Sequence, residues 1–217
     1  MGGARGRFAR GRTNGVSVPS RPLILVLHGP SGVGKDSVIA RLRERTDIHR
    51  ATSSNSRPMR EGELQDVDYH FLSVQEFQRK IDAGDFIEYA HVYGDFKGLE
   101  WGELERPLAE GKDVLIRTDL QGARALRRLL RGAVFVLLTA ESRDALRARL
   151  TARESESQES LERRLAEVDA ELADAPNNDY VVENHENALE EAVDELVHII
   201  ERERFNPDRT AAGIREN

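Results

Sequence analysis

A glycine-rich loop between an apolar run and a helical pattern restricts the fold of this chain more than any other feature. Residues 23–27 form a short continuous apolar run, which is typical of a strand buried on both faces of a sheet. Residues 29–35 follow with the spacing G-x-x-x-x-G-K, and Val38, Ile39 and Leu42 then recur at helical spacing. Strand, glycine loop and helix in this order predict the opening of a doubly wound α/β domain.

The chemistry of this loop suits a nucleotide phosphate. Glycines let successive backbone N–H groups turn toward phosphate oxygens, and the N-terminus of the following helix adds positive potential. Lys35 supplies a mobile positive charge for the β- and γ-phosphates of ATP. Ser or Thr normally follows this lysine, but here Asp36 stands in that place and Ser37 comes next. The predicted ATP-binding residues of the loop are Gly29, Pro30, Ser31, Gly32, Val33, Gly34, Lys35, Asp36 and Ser37.

Later segments extend the α/β pattern and interrupt it once. Further strands are expected at residues 113–116, 133–138 and 180–182. Residues 53–98 have a different texture, with short alternating strands around residues 69–71 and 86–92. A capping box from Ser73 to Glu76 predicts a helix that runs to about residue 83, so this stretch is interpreted as a small α+β insertion. Two apolar stripes predict core-facing helices: Leu161, Leu165, Val168 and Leu172, then Leu189, Val193, Leu196 and Ile200.

A second motif lies inside this insertion and is more specific than the loop. It reads Arg57-Pro58-Met59-Arg60-Glu61-Gly62-Glu63, followed by Asp68-Tyr69-His70-Phe71. With both motifs, the chain resembles the guanylate kinases over residues 22–203. The resemblance implies an α/β P-loop kinase with a central, mostly parallel sheet flanked by helices. It also implies a core of residues 22–52 and 99–203, a GMP-binding insertion at about 53–98 and a mobile lid at about 149–164.

The activity implied by the resemblance is transfer of the γ-phosphate of ATP to GMP, and to dGMP, in purine nucleotide metabolism. Two arginines three residues apart can hold one phosphate dianion through planar, paired contacts. A carboxylate that accepts from the N1 and N2 protons of guanine would reject adenine, which lacks that donor pair. By resemblance, the GMP-binding residues are Ser53, Arg57, Arg60, Tyr69, Glu88, Lys97 and Asp119, with Glu88 as the carboxylate that reads the base.

The resemblance also assigns residues to catalysis and to the nucleotide donor. Lys35 and three lid arginines, Arg149, Arg153 and Arg164, match the groups that neutralise charge on the transferring phosphoryl group. Asn184 matches a residue near the adenine. The implied cofactor is Mg²⁺ bound with ATP, and Asp36 and Asp119 are its candidate protein ligands.

Three positions depart from the family pattern. Arg117 stands where an aspartate is usual, Lys97 replaces a tyrosine that touches the GMP phosphate, and Leu99 replaces a hydroxyl residue near the guanine. Arg117 lies at the end of a strand that should neighbour the phosphate loop. We therefore hypothesise that Arg117 pairs with Asp36, within about 6 Å, which keeps the charge around the metal nearly constant. Lys97 can still hold a phosphate as a point charge.

The composition of the chain argues against several classes of partner and chemistry. The net charge is -7 and gives no reason to expect nucleic-acid binding, and no apolar run approaches the length of a membrane helix. The chain contains no cysteine, which excludes a thiolate nucleophile and fits a cytoplasmic enzyme, expected as a monomer or homodimer.

Residues 1–21 are rich in Gly and Arg and are expected to form a disordered basic tail, with a transit peptide as the alternative. Residues 204–217 are expected to fray.

Two other functions are compatible with parts of the sequence. Some relatives of guanylate kinases phosphorylate ribose bisphosphate and carry a similar Gly-Lys-Asp-Ser loop, but they are not expected to keep Arg57, Arg60, Tyr69 and Glu88. Scaffold proteins reuse the fold to bind phosphopeptides without catalysis, but these domains typically lose the ATP loop, which is intact here.

Overall fold

The computed structural model describes residues 21–92, 94–151 and 168–215. Its centre is a five-stranded sheet with the strand order β10-β9-β1-β7-β2, and every pairing within it is parallel. The strands are β1 (Ile24–His28), β2 (His49–Arg50), β7 (Val114–Arg117), β9 (Ala133–Thr139) and β10 (Tyr180–Glu183). The four strands expected from apolar runs are present, with ends shifted by about one residue.

Helices cover both faces of this sheet, because β1 is apolar on both sides. Leu25 and Leu27 pack in one apolar cluster with α1 (Lys35–Arg45) and α6 (Leu189–Arg204). Ile24 and Val26 pack in a second cluster, on the side of α3 (Gly102–Ala109) and α4 (Leu120–Leu129). The alternation of side chains along a strand accounts for this division. The resulting architecture is the predicted α/β fold with helices on both faces of a parallel sheet.

The insertion is a second sheet with the strand order β4-β3-β6-β5. Its strands are β3 (Ser54–Asn55), β4 (His70–Phe71), β5 (Phe86–Val92) and β6 (Asp95–Glu100). Helix α2 (Val74–Ala83) begins at Ser73 with the predicted capping box to Glu76. Phe77 of α2 is fully buried and stacks on Phe86, with ring centroids 4.4 Å apart. This aromatic contact gives the insertion a small core of its own.

Helix α5 (Arg143–Thr151) follows β9, and residues 168–173 are also helical. Of the two predicted apolar stripes, Leu189, Val193, Leu196 and Ile200 face the core on α6, and Val168 is buried. Leu161 and Leu165 lie outside the described residues, as does the basic tail up to residue 20. In the described part of the chain, we find no helix with the length and apolar character needed to span a membrane.

The expectation of a frayed C-terminal tail is wrong for residues 204–215. Strand β11 (Gly213–Ile214) pairs antiparallel with β8 (Leu130–Arg131). Arg209 is buried, and its guanidinium donates to the carbonyl oxygens of Arg21, Pro22, Gly132 and Glu203. Polar composition suggested fraying, but the hydrogen bonds of the buried Arg209 guanidinium tie this segment to the residues just before β1 and β9.

Candidate active site

An open pocket of about 370 Å³ lies where β1 and β7 end and the phosphate loop begins. The carboxyl ends of parallel strands are the usual location of ligand sites in open α/β sheets. Residues from the loop, from β7 and from the insertion share this pocket. Its lining is Gly29, Ser31, Gly32, Gly34, Lys35, Asp36, Ser37, Tyr69, Lys97, Arg117, Thr118, Asp119 and Glu171. Ten of these thirteen were predicted as ATP- or GMP-binding, and Arg117 as the charge partner of Asp36.

The loop conformation depends on two glycines. Gly34 has φ of 94° and precedes α1, and a Cβ there would lie 2.6 Å from Nδ2 of Asn184. Gly29 has φ of 149°, and a Cβ there would lie 2.1 Å from the carbonyl oxygen of Leu138. Both positions combine a backbone region that disfavours side chains with a close neighbour, so only glycine fits them.

The side chain of Lys35 folds back onto the phosphate loop. Its Nζ donates to the carbonyl oxygens of Gly29 and Pro30, the latter at 2.9 Å. Burial lowers the pKa of Lys35 to about 8, and the negative charge of Glu171 opposes this effect. Two uncharged carbonyl acceptors therefore hold the ammonium group of Lys35 at the pocket lining.

Glu171 and Thr118 also line the pocket, and neither was predicted as a site residue from the sequence. Glu171 is only 6% exposed and lies on the helical residues 168–173, beside a leucine of the apolar stripe. A glutamate between the apolar positions of a helix is normally expected at the surface. Only the tertiary fold brings Glu171 to the phosphate loop. No local signal could have identified it.

The structure confirms the hypothesis that Asp36 pairs with Arg117. Nη2 of Arg117 donates to Oδ2 of Asp36 at 3.0 Å, and Nε lies 3.0 Å from Oδ1. The planar guanidinium thus faces the carboxylate along its edge. The extra negative charge in the loop and the extra positive charge at the end of β7 meet directly.

Asp36 and Asp119 fit the chemistry of a magnesium site. Both carboxylates line the same pocket as Lys35. Oδ1 of Asp119 accepts from the amide of Gly122 at the start of α4, which fixes this carboxylate in place. In the described ranges, no cluster of three or more acidic, histidine or cysteine side chains could enclose a metal alone. Mg²⁺ typically needs only one or two carboxylates when substrate phosphates and water complete its coordination.

The insertion contributes Tyr69 and Lys97 to the pocket, and Lys97 Nζ lies 5.9 Å from the centre of the Tyr69 ring. Arg57 packs over the same ring at 5.3 Å and donates to both carboxylate oxygens of Glu63. The Arg57 hydrogen bonds and the Arg60 amide lower the pKa of Glu63 to about 2. Arg57 is thereby held beside Tyr69, whereas the side chain of Arg60 is exposed to solvent.

Glu88 and Ser53, which were predicted to contact the guanine base, are not among the residues that line the pocket. Glu88 is partly buried on β5, and burial raises its pKa while the charge of Lys97 opposes that effect. Ser53 precedes β3, and its carbonyl accepts from the amide of His70. Leu99, opposite Glu88 across the β5–β6 pair, is 2% exposed and belongs to the second apolar cluster. In this chain Leu99 is therefore a core residue.

The predicted donor-side residues Arg149 and Asn184 are linked to each other. Nδ2 of Asn184 donates to the carbonyl oxygen of Val33 at 2.8 Å, which ties β10 to the phosphate loop. Arg149 on α5 donates to the carbonyl of Asn184 at 3.0 Å and to Glu141 at 2.9 Å. The other two lid arginines, Arg153 and Arg164, lie outside the described residues, with most of the predicted lid.

Comparison with known proteins agrees with this geometry. A family model described as guanylate kinase matches residues 20–203. The chain is 43% identical over 198 residues to guanylate kinase 2, chloroplastic/mitochondrial, of Oryza sativa subsp. japonica, covering 90% of this chain and 70% of that protein. It is 41% identical over 202 residues to the guanylate kinase of Symbiobacterium thermophilum, covering 92% of this chain and 95% of that one.

A solved structure gives the same result. The crystal structure of guanylate kinase from Anaplasma phagocytophilum aligns with a TM-score of 0.69 and 30% sequence identity, over 88% of this chain and 90% of that chain. These comparisons favour neither the sugar-phosphate kinase nor the phosphopeptide module. The matched range spans the phosphate loop, the insertion and α5, and this chain is a member of the guanylate kinase family.

Proposed function

We propose that this protein transfers the γ-phosphate of ATP to GMP, and also to dGMP, with release of ADP. The observation that carries the proposal is the shared pocket. Lys35 and the phosphate loop of the core line it together with Tyr69 and Lys97 of the insertion. A phosphate donor and a phosphate acceptor can therefore bind face to face, which is the arrangement that phosphoryl transfer requires.

On the donor side, the loop amides and Lys35 would bind the β- and γ-phosphates of ATP. Asn184 would lie near the adenine. Arg149, together with Arg153 and Arg164, would neutralise the charge that spreads over the transferring group. Asp36 and Asp119 would hold Mg²⁺, which when bound supplies further neutralisation of the phosphate charge.

On the acceptor side, Arg57, Arg60, Tyr69 and Lys97 would hold the phosphate of GMP. Arg57 would exchange its contacts with Glu63 for phosphate oxygens, which present the same paired acceptor geometry. Glu88 would accept hydrogen bonds from N1 and N2 of guanine, with Ser53 as a further contact. Adenine offers no such donor pair, so a carboxylate here selects against AMP.

The reaction needs little covalent chemistry from the protein. An oxygen of the GMP phosphate attacks the γ-phosphorus in line, the new P–O bond forms, and the bond to the β-phosphate bridging oxygen breaks to release ADP. The attacking oxygen is already ionised, so no general base is required. The residues of the pocket position both nucleotides and stabilise the developing charge.

An ADP-release assay with GMP, AMP, UMP and ribose 1,5-bisphosphate as alternative acceptors tests this function. We expect turnover with GMP, and Glu88→Ala should lower kcat/KM for GMP by roughly 10²-fold because two guanine donors lose their acceptor. Turnover only with the sugar phosphate would support the alternative kinase. GMP binding without turnover of any acceptor would support a recognition module.

We also propose that the enzyme acts in the cytoplasm, as a monomer or a homodimer. The absence of cysteine from the sequence is compatible with a reducing compartment. The rice relative differs, since its name places it in chloroplasts and mitochondria.

A further inference from the structure

Glu103 lies where the two connections between the core and the insertion meet. The incoming connection is residues 51–53, between β2 and β3, and the outgoing connection is Trp101, between β6 and α3. Glu103 is in the first turn of α3, directly after the outgoing connection. Its Oε2 accepts from the backbone amide of Thr52 at 2.7 Å. One carboxylate therefore joins both connections.

The same carboxylate also contacts a histidine from each sheet. Oε1 of Glu103 is 3.2 Å from Nε2 of His70 on β4, in the insertion. Oε2 is 3.4 Å from Nε2 of His49 on β2, at the edge of the central sheet. We call Glu103, Thr52, His70 and His49 the insertion clasp. The insertion cannot turn about its two connections without stretching contacts within this clasp.

Charge strengthens the clasp. The hydrogen bond that His70 donates to Glu103 raises the pKa of His70 to about 9, against the effect of burial and with support from Asp66 at 2.7 Å. Burial alone would raise the pKa of Glu103, but hydrogen bonds from His70 and from the Thr52 amide lower it to about 2. His70 and Glu103 thus form an ion pair at neutral pH, and the partly buried position limits screening.

Two open pockets border the clasp, and polar or charged side chains make up most of the lining of each. A cavity of about 330 Å³ is lined by His49, Thr52 and Asp66, among others. A second cavity of about 300 Å³ is lined by Asp66, His70 and Glu103, among others. The two pockets share Asp66, and each includes two residues of the clasp, so the surroundings of Glu103 and the two histidines are mainly polar.

His70 also connects the clasp to the GMP side of the pocket. It directly follows Tyr69, whose ring lines the pocket and supports Arg57. We propose that Glu103 is a positioning residue for GMP binding: it fixes the orientation of the insertion through His70 and the Thr52 amide. This inference rests on the proposed transfer of phosphate to GMP. Glu103 itself does not line the pocket, so it acts through these neighbours.

Steady-state kinetics separate this role from general stabilisation. In Glu103→Ala, GMP has to bind an insertion that is only partly in the right orientation, so its KM should rise about fivefold to tenfold. The KM for ATP and kcat should stay within about twofold of the wild-type values, because the phosphate loop is untouched. Glu103→Gln keeps one acceptor oxygen and should give an intermediate KM for GMP. Glu105→Ala is the matched control, since Glu105 is exposed on the same helix.

An unchanged KM for GMP in Glu103→Ala, or equal rises in both KM values, would overturn the inference. If Glu103→Ala does not fold, Glu103→Gln and His70→Gln are compared with the control in the same assay. Wild-type protein that fails to phosphorylate GMP would instead refute the proposed function, so the two failures are distinguishable.

A distance measurement tests the clasp without turnover. The chain has no cysteine, so spin labels can be placed at Arg79→Cys on α2 of the insertion and Arg128→Cys on α4 of the core. We expect one narrow distance distribution in nucleotide-free protein and a clearly broader one when Glu103→Ala is added. Distributions of equal width with and without this substitution would overturn the positioning role.

Discussion

Asp36 and Arg117 show how a change at one residue is balanced at another. Asp36 places a carboxylate beside a loop that must receive a triphosphate, which alone would repel the substrate. Arg117 meets this carboxylate with two N–O distances of 3.0 Å. Their charges cancel locally, so the electrostatic environment of the loop resembles one with an uncharged residue after the lysine. The pair is therefore a compensated exchange that is compatible with phosphate binding.

This compensation predicts strong coupling in a double-mutant cycle. Each single variant breaks the pair: Arg117→Asp places a second carboxylate beside Asp36 and should lower kcat/KM for ATP by roughly tenfold through repulsion of the phosphates, and Asp36→Ser removes the partner of Arg117 and should lower it less. The double variant Asp36→Ser with Arg117→Asp restores the residue types usual in the family and should recover most of the activity. Steady-state kinetics at fixed Mg²⁺ concentration measure both. If the double variant is as poor as the product of the two single effects, the residues act independently.

At the scale of elements, the ion pair of His70 and Glu103 connects strand β4 of the insertion to helix α3. The His70 side chain is 24% exposed, so its contact is only moderately screened by water. The pKa of His70 is raised from 6.5 to about 9, so the folded protein holds this proton more tightly than the unfolded chain. The stabilisation is complete below about pH 6.5 and is lost as the pH rises toward 9.

The free energy of unfolding should therefore fall more steeply with pH in the wild type than in His70→Gln. Between pH 6 and 9.5, the free energy of unfolding of the wild type should fall by roughly 1–2 kcal/mol more than that of His70→Gln. This value is for the His70–Glu103 contact as a whole and is not added a second time for Glu103. Urea unfolding at several pH values measures it, and other titrating groups cancel in the difference. Parallel pH dependences would show that His70 gains no proton affinity on folding.

At the scale of the whole molecule, Arg209 joins the two ends of the described chain. Its guanidinium donates to carbonyl oxygens of Arg21 and Pro22 just before β1, and to those of Gly132 and Glu203. It is 7% exposed, so these carbonyls have little access to water. The C-terminal segment thus covers the end of the central sheet opposite the phosphate loop.

Arg209→Ala should destabilise the fold by about 2–4 kcal/mol, because it leaves buried acceptors unsatisfied and opens a cavity. Thermal unfolding should show a correspondingly lower Tm, while the KM values for ATP and GMP remain unchanged because the site lies at the other end of the sheet. Asp208→Ala, an exposed neighbour, is the control. A Tm equal to that of the control would mean that the C-terminal segment is dispensable for stability.

The sequence predicted the features that depend on local patterns. The buried strands β1, β7, β9 and β10 follow from apolar runs, the start of α2 follows from its capping box, and the phosphate loop follows from its glycine spacing. Two-residue strands such as β2 and β11 are too short to carry a pattern of their own. They exist only because a neighbouring strand is present to pair with them.

The residues that the sequence did not reveal act through distant partners. Glu171 reaches the phosphate loop from a helix far along the chain, and Glu103 reaches His70 and Thr52 across two connections. Arg209 sits in a polar stretch that contains Pro207, which suggested fraying. In each case the side chain type is common on protein surfaces. Only the tertiary contact gives it a role, and a single sequence contains no local trace of that contact.

The fate of the γ-phosphate of ATP distinguishes GMP phosphorylation from every other reaction considered for this pocket. ATP labelled in its γ-phosphate is incubated with GMP, Mg²⁺ and the protein, and the products are separated and identified. We expect the label in the β-phosphate of GDP, with one ADP formed for each GDP. Label recovered as inorganic phosphate, or transferred only to an acceptor other than GMP or dGMP, would contradict it.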